Sequence, residues 1–147
     1  MKRVKKAVGY VCEVRIPGTD LTISKEDQRA RILKHVQKEN IDLVCIYEDD
    51  DPEVEVLDRP GIREVIDREE PFDFLLVERV WAISRKRQAL EPLLRILDRR
   101  GVEVQASSYL WDCVSQQVRH RYAGNLAERA RKLTRERAEA KRLRVVA

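Results

Sequence analysis

Glycine occurs only five times in the 147 residues, and no hydrophobic run leads into the glycine-rich turn that wraps a phosphate. A dinucleotide-binding Rossmann domain is therefore not expected. Cysteine is sparse too. Cys12, Cys45 and Cys113 are odd in number and far apart, and two of them sit in apolar strand-like runs, which argues for buried thiols rather than disulfides or zinc ligands. His35 and His120 stand alone, so no metal and no other cofactor is expected. No stretch approaches the roughly 18 apolar residues of a membrane span. The opening MKRVKKAVGYVC is basic and then apolar, but its apolar part, Ala7 to Cys12, stops at Glu13. That is too short for a secretory signal. The expectation is a cytoplasmic protein without a membrane partner.

Charge is abundant and unevenly placed. The formal net charge is +4, yet Arg119 to Arg144 holds ten Lys/Arg against three Asp/Glu, leaving 20 against 23 elsewhere. A slightly acidic body with a basic tail suggests a polyanion partner.

The chain is organised around Phe72–Arg85, FDFLLVERVWAISR. Its nearly continuous apolar start predicts a buried strand. Leu90, Leu93, Leu94 and Leu97 then mark one face of a helix. Pro92 should fall in its first turn, which puts the start near Gln88. Trp81, Ser84 and Arg85 lie in the loop between, at the carboxyl end of the strand, where open α/β sheets place their chemistry. Further strands are expected at Val4–Cys12, Leu43–Tyr47 and Val102–Ala106, with a turn-rich loop from Val14 to Leu21. Ser24 reads as the N-cap of a helix running to about Lys38, with Ala30, Ile32, Leu33 and Val36 facing inward. Glu48 to Glu55 is an acidic loop, and Pro60 introduces a helix carrying Ile62, Val65 and Ile66. This alternation predicts an α/β domain, a mostly parallel sheet of about four to five strands with helices on both faces. From about Ser115 a long basic helix is expected, with Val118, Tyr122, Leu126 and Leu133 on one stripe. The division is residues 1–113 for the sheet domain and 114–147 for the helix.

Several short motifs, in order and at matching spacing, resemble the catalytic domain of serine recombinases, the resolvase/invertase group. Tyr10 opens a segment similar to Y-x-R-V-S, and Ser24–Gln28 is similar to S-x-x-x-Q. Tyr47-Glu48-Asp49 followed by Leu57-Asp58-Arg59-Pro60-Gly61 resembles Y-x-D…L-D-R-P-G, the most specific match. Ile83-Ser84-Arg85 resembles the end of D-R-L-S-R, and Trp111-Asp112-Cys113 stands where I-D-T is usual. The resemblance implies a resolvase-like fold and strand cleavage by a serine oxygen, with arginines balancing phosphoryl charge.

At the site the chain departs from that pattern. Cys12 stands in the arginine position and Val14 in that of the nucleophilic serine. Trp81 and Ala82 replace Asp-Arg, and Glu53 and Val54 replace Ser-Gly. Gln28, Arg59 and Arg85 remain of the set the resemblance implies. Cys12 would need a lowered pKa to act, and Ser84, Ser24 and Thr19 have no evident base. The expectation is a resolvase-like protein inactive in cleavage, acting as an accessory or regulatory homologue. It would form homodimers through Val118, Tyr122, Leu126 and Leu133, with an active recombinase as a further partner. DNA would be held by Arg129, Arg131, Lys132, Arg135, Arg137, Lys141, Arg142 and Arg144. With no room expected for a helix-turn-helix domain after the final helix, those contacts should be to phosphates. Two alternatives stay open: a protein-interaction module without DNA, and an active recombinase with an unusual nucleophile.

Overall fold

The computed structural model describes residues 4–123. In chain order it contains β1 (Lys6–Cys12), the short strands β2 (Val14–Arg15) and β3 (Thr22–Ile23), α1 (Lys25–Glu39) and β4 (Asp42–Asp49). Then follow α2 (Pro60–Asp67), β5 (Phe74–Val77), α3 (Arg87–Arg99) and β6 (Glu103–Ala106). Single 3-10 turns precede α2, at Val56–Asp58, and follow β5, at Val80–Ala82. A last helix, α4, starts at residue 113 and includes 123, the last residue described.

Four strands form one parallel sheet in the order β4-β1-β5-β6. β1 sits inside it because Ala7, Val8, Tyr10, Val11 and Cys12 are all apolar enough to be covered on both faces, and all are buried. On one face α1 lays Ile32 and Val36 over Ala7, Val11 and Leu76. On the other, α2, α3 and α4 cover Val8, Tyr10, Leu75, Val77 and Val104. Parallel strands put all their carboxyl ends on one edge, so the segments after β1, β4 and β5 meet there.

Four details differ from the sequence reading. In α1 the inward stripe is Gln28, Ile32 and Val36, whereas Ala30 and Leu33 (45% exposed) face outward. The helix touches the sheet along a narrow stripe at spacings of four, and a polar glutamine holds its first position. The Val14–Leu21 loop is a small hairpin: β2 pairs antiparallel with β3, and Thr19 Oγ1 donates to the Ile16 carbonyl at 2.9 Å. Pro92 lies deeper in α3 than its first turn, since the helix begins at Arg87.

The fourth detail is a correction to the dimer stripe. Val118 (2% exposed) and Tyr122 (4%) are buried in the chain's own core. The flank of α3 and β6 was available closer at hand than any second copy. Arg121 bonds Glu91 at 3.0 Å and also pairs with Asp98, while the Tyr122 hydroxyl donates to Asp98 at 3.3 Å, which ties α4 to α3. Leu126 and Leu133 lie outside the described residues.

Two buried polar groups fasten the carboxyl edge. Asp49, at the end of β4, accepts the backbone N–H of Gly61 at 2.8 Å and of Ile62 at 3.3 Å. A Cβ on Gly61 would lie 2.6 Å from the Glu48 carbonyl oxygen and 2.7 Å from Asp49 Oδ2. Only glycine fits that approach. Gly61→Ala should therefore lower stability by about 1–3 kcal/mol, read as a lower urea midpoint; an unchanged midpoint would contradict the packing.

Glu78, fully buried, is held by Arg79 Nη2 at 2.8 Å and Arg31 Nη1 at 3.0 Å. Burial opposes its ionisation, but the two guanidiniums outweigh burial and hold the carboxyl below its usual 4.5. A depressed folded pKa means the stabilisation is complete above the unfolded value and fades as pH falls through the folded one. Glu78→Gln should flatten the acid limb of the stability profile below about pH 4.5. An acid limb unchanged in the variant would assign that sensitivity to other carboxylates.

Candidate functional site

A cleft of about 420 Å³ opens at the carboxyl edge between the β2 hairpin, the acidic loop and the segment after β5. Its lining includes Val14, Arg59, Trp81 and Arg85, together with Val54, Ile83 and Ser84. Cys12 and Gln28 are buried beside it at the end of β1. The sequence-expected residues are thus brought together, and their bonds define what each can do.

Arg59 is 3% exposed and its guanidinium is turned toward the protein. Nε donates to the Val54 carbonyl at 2.9 Å and Nη2 to that of Pro52 at 3.0 Å. Nη1 reaches the Ala82 carbonyl at 3.2 Å and the Tyr10 hydroxyl at 3.4 Å. Four of the five donors an arginine carries are thereby engaged by the chain itself. Tyr10 in turn donates to Asp49 at 2.8 Å, and burial pushes its phenol far above the usual tyrosine value. Such a hydroxyl does not ionise near neutrality.

Gln28 does similar work. Its amide nitrogen donates to the carbonyls of Cys12 (2.7 Å) and Ile23 (3.1 Å), and its oxygen accepts the Cys12 N–H at 3.3 Å. One side chain thus pins the end of β1 to the hairpin. The Cys12 thiol is buried, and burial, only partly offset by Arg59, raises its pKa above the usual 9.0. It is the opposite of an activated nucleophile.

The hydroxyls are likewise engaged. Ser84 Oγ accepts the Lys86 N–H at 3.0 Å and donates to the Lys86 carbonyl at 3.3 Å. Ser24 caps α1 by accepting the Asp27 N–H at 3.1 Å. Val14, buried in β2, offers only methyl groups. Arg85 is exposed and its guanidinium lies 4.5 Å from the centroid of Trp81, a cation–π contact. At Asp112, burial opposes ionisation, but the Ser115 backbone N–H, donated at 3.0 Å, helps hold the carboxyl below its usual range.

Two functional parts were missed in the sequence. Asp49 is the anchor for Tyr10 and for α2, and its place in the Tyr47-Glu48-Asp49 motif was the available signal. Arg15 crosses the cleft mouth toward Glu53 at 3.6 Å, a pairing that only the hairpin creates. The expected DNA set, from Arg129 to Arg144, lies outside the described residues.

The parallel four-stranded sheet with its helices matches the fold of serine recombinase catalytic domains. The N-terminal catalytic domain of TP901-1 integrase superposes with a TM-score of 0.60 at 19% identity, covering 87% of this chain and 99% of that one. The C-terminal catalytic domain of ISC1926 TnpA, an IS607-like serine recombinase, gives 0.59 at 13% identity, over 82% and 80%. A resolvase family site-specific recombinase from Streptococcus pneumoniae gives 0.56 at 18%, over 93% and 97%. The family described as "Resolvase, N terminal domain" matches residues 9–146, and the chain belongs to it. No curated protein matches the sequence significantly. Among the described residues no helix is long and apolar enough to cross a membrane.

The thiols give a direct check of the cleft. At about pH 8, iodoacetamide should label exposed Cys113 in the native protein and reach Cys12 only after denaturation. Fast native labelling of Cys12 would contradict its burial and its raised pKa.

Proposed function

We propose that this chain is a DNA-binding resolvase-family protein that does not cut strands and acts as an accessory or regulatory homologue. One observation carries the reading. The place of the nucleophilic hydroxyl is taken by Val14, and the buried arginine beside it, Arg59, is bonded to the chain's own carbonyls. Strand transfer needs an attacking oxygen and positive groups free to meet the phosphoryl oxygens. Here the oxygen is missing, two arginine positions hold Cys12 and Ala82, and carboxylates at Glu13, Glu53 and Glu55 line the same cleft as Arg15, Arg85 and Lys86. Cys12 is too buried and too weakly acidic to replace the serine.

DNA contact is assigned to residues 114–147, through Arg129, Arg131, Lys132, Arg135, Arg137, Lys141, Arg142 and Arg144. Self-association is assigned to Leu126 and Leu133, since Val118 and Tyr122 are already covered. The similarity of the fold to site-specific recombinases supports a role beside DNA recombination, in a homodimer or paired with an active recombinase.

Incubation with supercoiled DNA should give neither a nicked product nor a covalent adduct. Val14→Ser alone should not rescue cleavage, because the charge-balancing groups are missing too. In gel shifts, binding should follow a log–log salt slope of roughly −4.5 if about five phosphates are contacted. Removing residues 128–147 should abolish it. A covalent adduct lost on Cys12→Ala or Ser84→Ala would overturn the catalytic claim, and undiminished binding after truncation would overturn the DNA assignment.

A further inference from the structure

We propose that Trp111 pairs this chain with a second copy, the indole of each seating in the groove between α3 and α4 of the other. The inference goes beyond the self-association assigned to Leu126 and Leu133, because it names a separate contact on the folded body.

The argument starts from an exposed ring. Trp111 is 92% exposed, and among the described residues the next large apolar side chain, Leu21, is at 64%. A tryptophan carries about 150–250 Å² that burial would remove from water. Trp111 is thus the largest single apolar surface that the described body leaves open. The turn around it is held by its neighbours instead. Asp112 accepts the Ser115 N–H at 3.0 Å, and Gln116 donates to the Leu110 carbonyl at 2.6 Å. Tryptophan is also among the residue types enriched at the few positions that dominate interface energies.

The receiving surface lies at the same end of α4. A groove of about 340 Å³ runs between α3 and α4. Leu90, Leu94, Val114 and Val118 form its floor, and Arg87 and Gln117, both exposed, stand at its lips. Neither of these two side chains makes a hydrogen bond or ion pair among the described residues, so both are free to swing aside. The Arg87 guanidinium can then close over an aromatic ring. Arg121 bonds Glu91 at 3.0 Å beside the groove, which fixes the two helices against each other and keeps the seat preformed. The volume is at the lower end of the range of binding pockets and suits one bicyclic ring better than a longer ligand. The chain's own indole, being open to water, does not fill it.

The occupant is a second copy because ring and groove are neighbours on one chain. Trp111 stands just before α4 begins at residue 113, and Val114 of the floor lies in that helix's first turn. Two such surfaces related by a twofold axis satisfy each other at once, each indole entering the other's groove. Two indoles and their rims fall short of the roughly 1,200 Å² buried in stable complexes, so the pairing is weak and reverses on dilution.

The test uses the full chain with Trp81→Phe, which leaves Trp111 as the single tryptophan of the two in the sequence. Its emission and its quenching by acrylamide are followed over a dilution series, with sedimentation of the same samples. Trp111 should be shielded and blue-shifted in concentrated samples and open in dilute ones, the change following the dimer fraction. Trp111→Ala in the otherwise unchanged chain should weaken association about tenfold or more with no loss of helical signal, and Trp111→Phe should retain part of it. Arg87→Ala should weaken it by about two- to fivefold, because it removes the guanidinium that closes over the ring. A dimer in which Trp111 stays open at every concentration would overturn the inference and leave pairing through Leu126 and Leu133 standing. A monomer throughout would overturn both. Shielding of Trp111 that Arg87→Ala leaves unchanged would place the ring elsewhere and overturn the groove assignment.

Discussion

The carboxyl edge of this protein depends on one buried cation. A guanidinium placed in the interior, here that of Arg59, requires acceptors for its donors. The chain supplies them from three directions: the acidic loop through Pro52 and Val54, the turn after β5 through Ala82, and β1 through Tyr10. Those are the three walls of the cleft. Removing the guanidinium would orphan several acceptors at once and loosen every segment that shapes the site. The same bonding takes the cation away from any ligand phosphate.

This explains how the fold persists although several residues that the resemblance implies for the chemistry are replaced. Of the three matching positions that remain, Gln28 and Arg59 have framework work, joining β1 to the hairpin and the loops to the sheet. Arg85 alone is free of the backbone, and it rests on Trp81. The replaced positions are Cys12 and Ala82, where the resemblance implies arginines, Val14, where it implies the nucleophilic serine, and Trp81, where it implies an aspartate. Their present side chains fill the region with a thiol, methyl groups and an indole. What is left is a mixed lining, an apolar floor with Glu13, Glu53 and Glu55 interspersed with Arg15, Arg85 and Lys86.

Much of this was legible beforehand, for identifiable reasons. The strands were readable because parallel, doubly covered strands demand apolar runs, and FDFLLV and AVGYVC supply them. The helix after β5 was readable because four leucines share one face. The inward face of α1 was misjudged at Ala30 and Leu33, since a helix packed along a narrow stripe leaves apolar residues outside it. The hairpin was missed because two-residue strands have no periodicity, and its stability comes from turn bonds and Gln28. Val118 and Tyr122 were assigned to a second copy because a sequence shows an apolar stripe without showing what lies nearest. The candidate site was found from motif spacing, but the inward bonding of Arg59 has no sequence signature.

The most direct measurement is the proton and nitrogen resonance of the Arg59 Nε–H. A group hydrogen-bonded to the Val54 carbonyl and shielded from water should exchange slowly and should not shift when inorganic phosphate or duplex DNA is added. Fast exchange, or a shift that saturates with phosphate, would show a guanidinium open to ligand and would contradict the account of a cleft built on an internally bonded arginine.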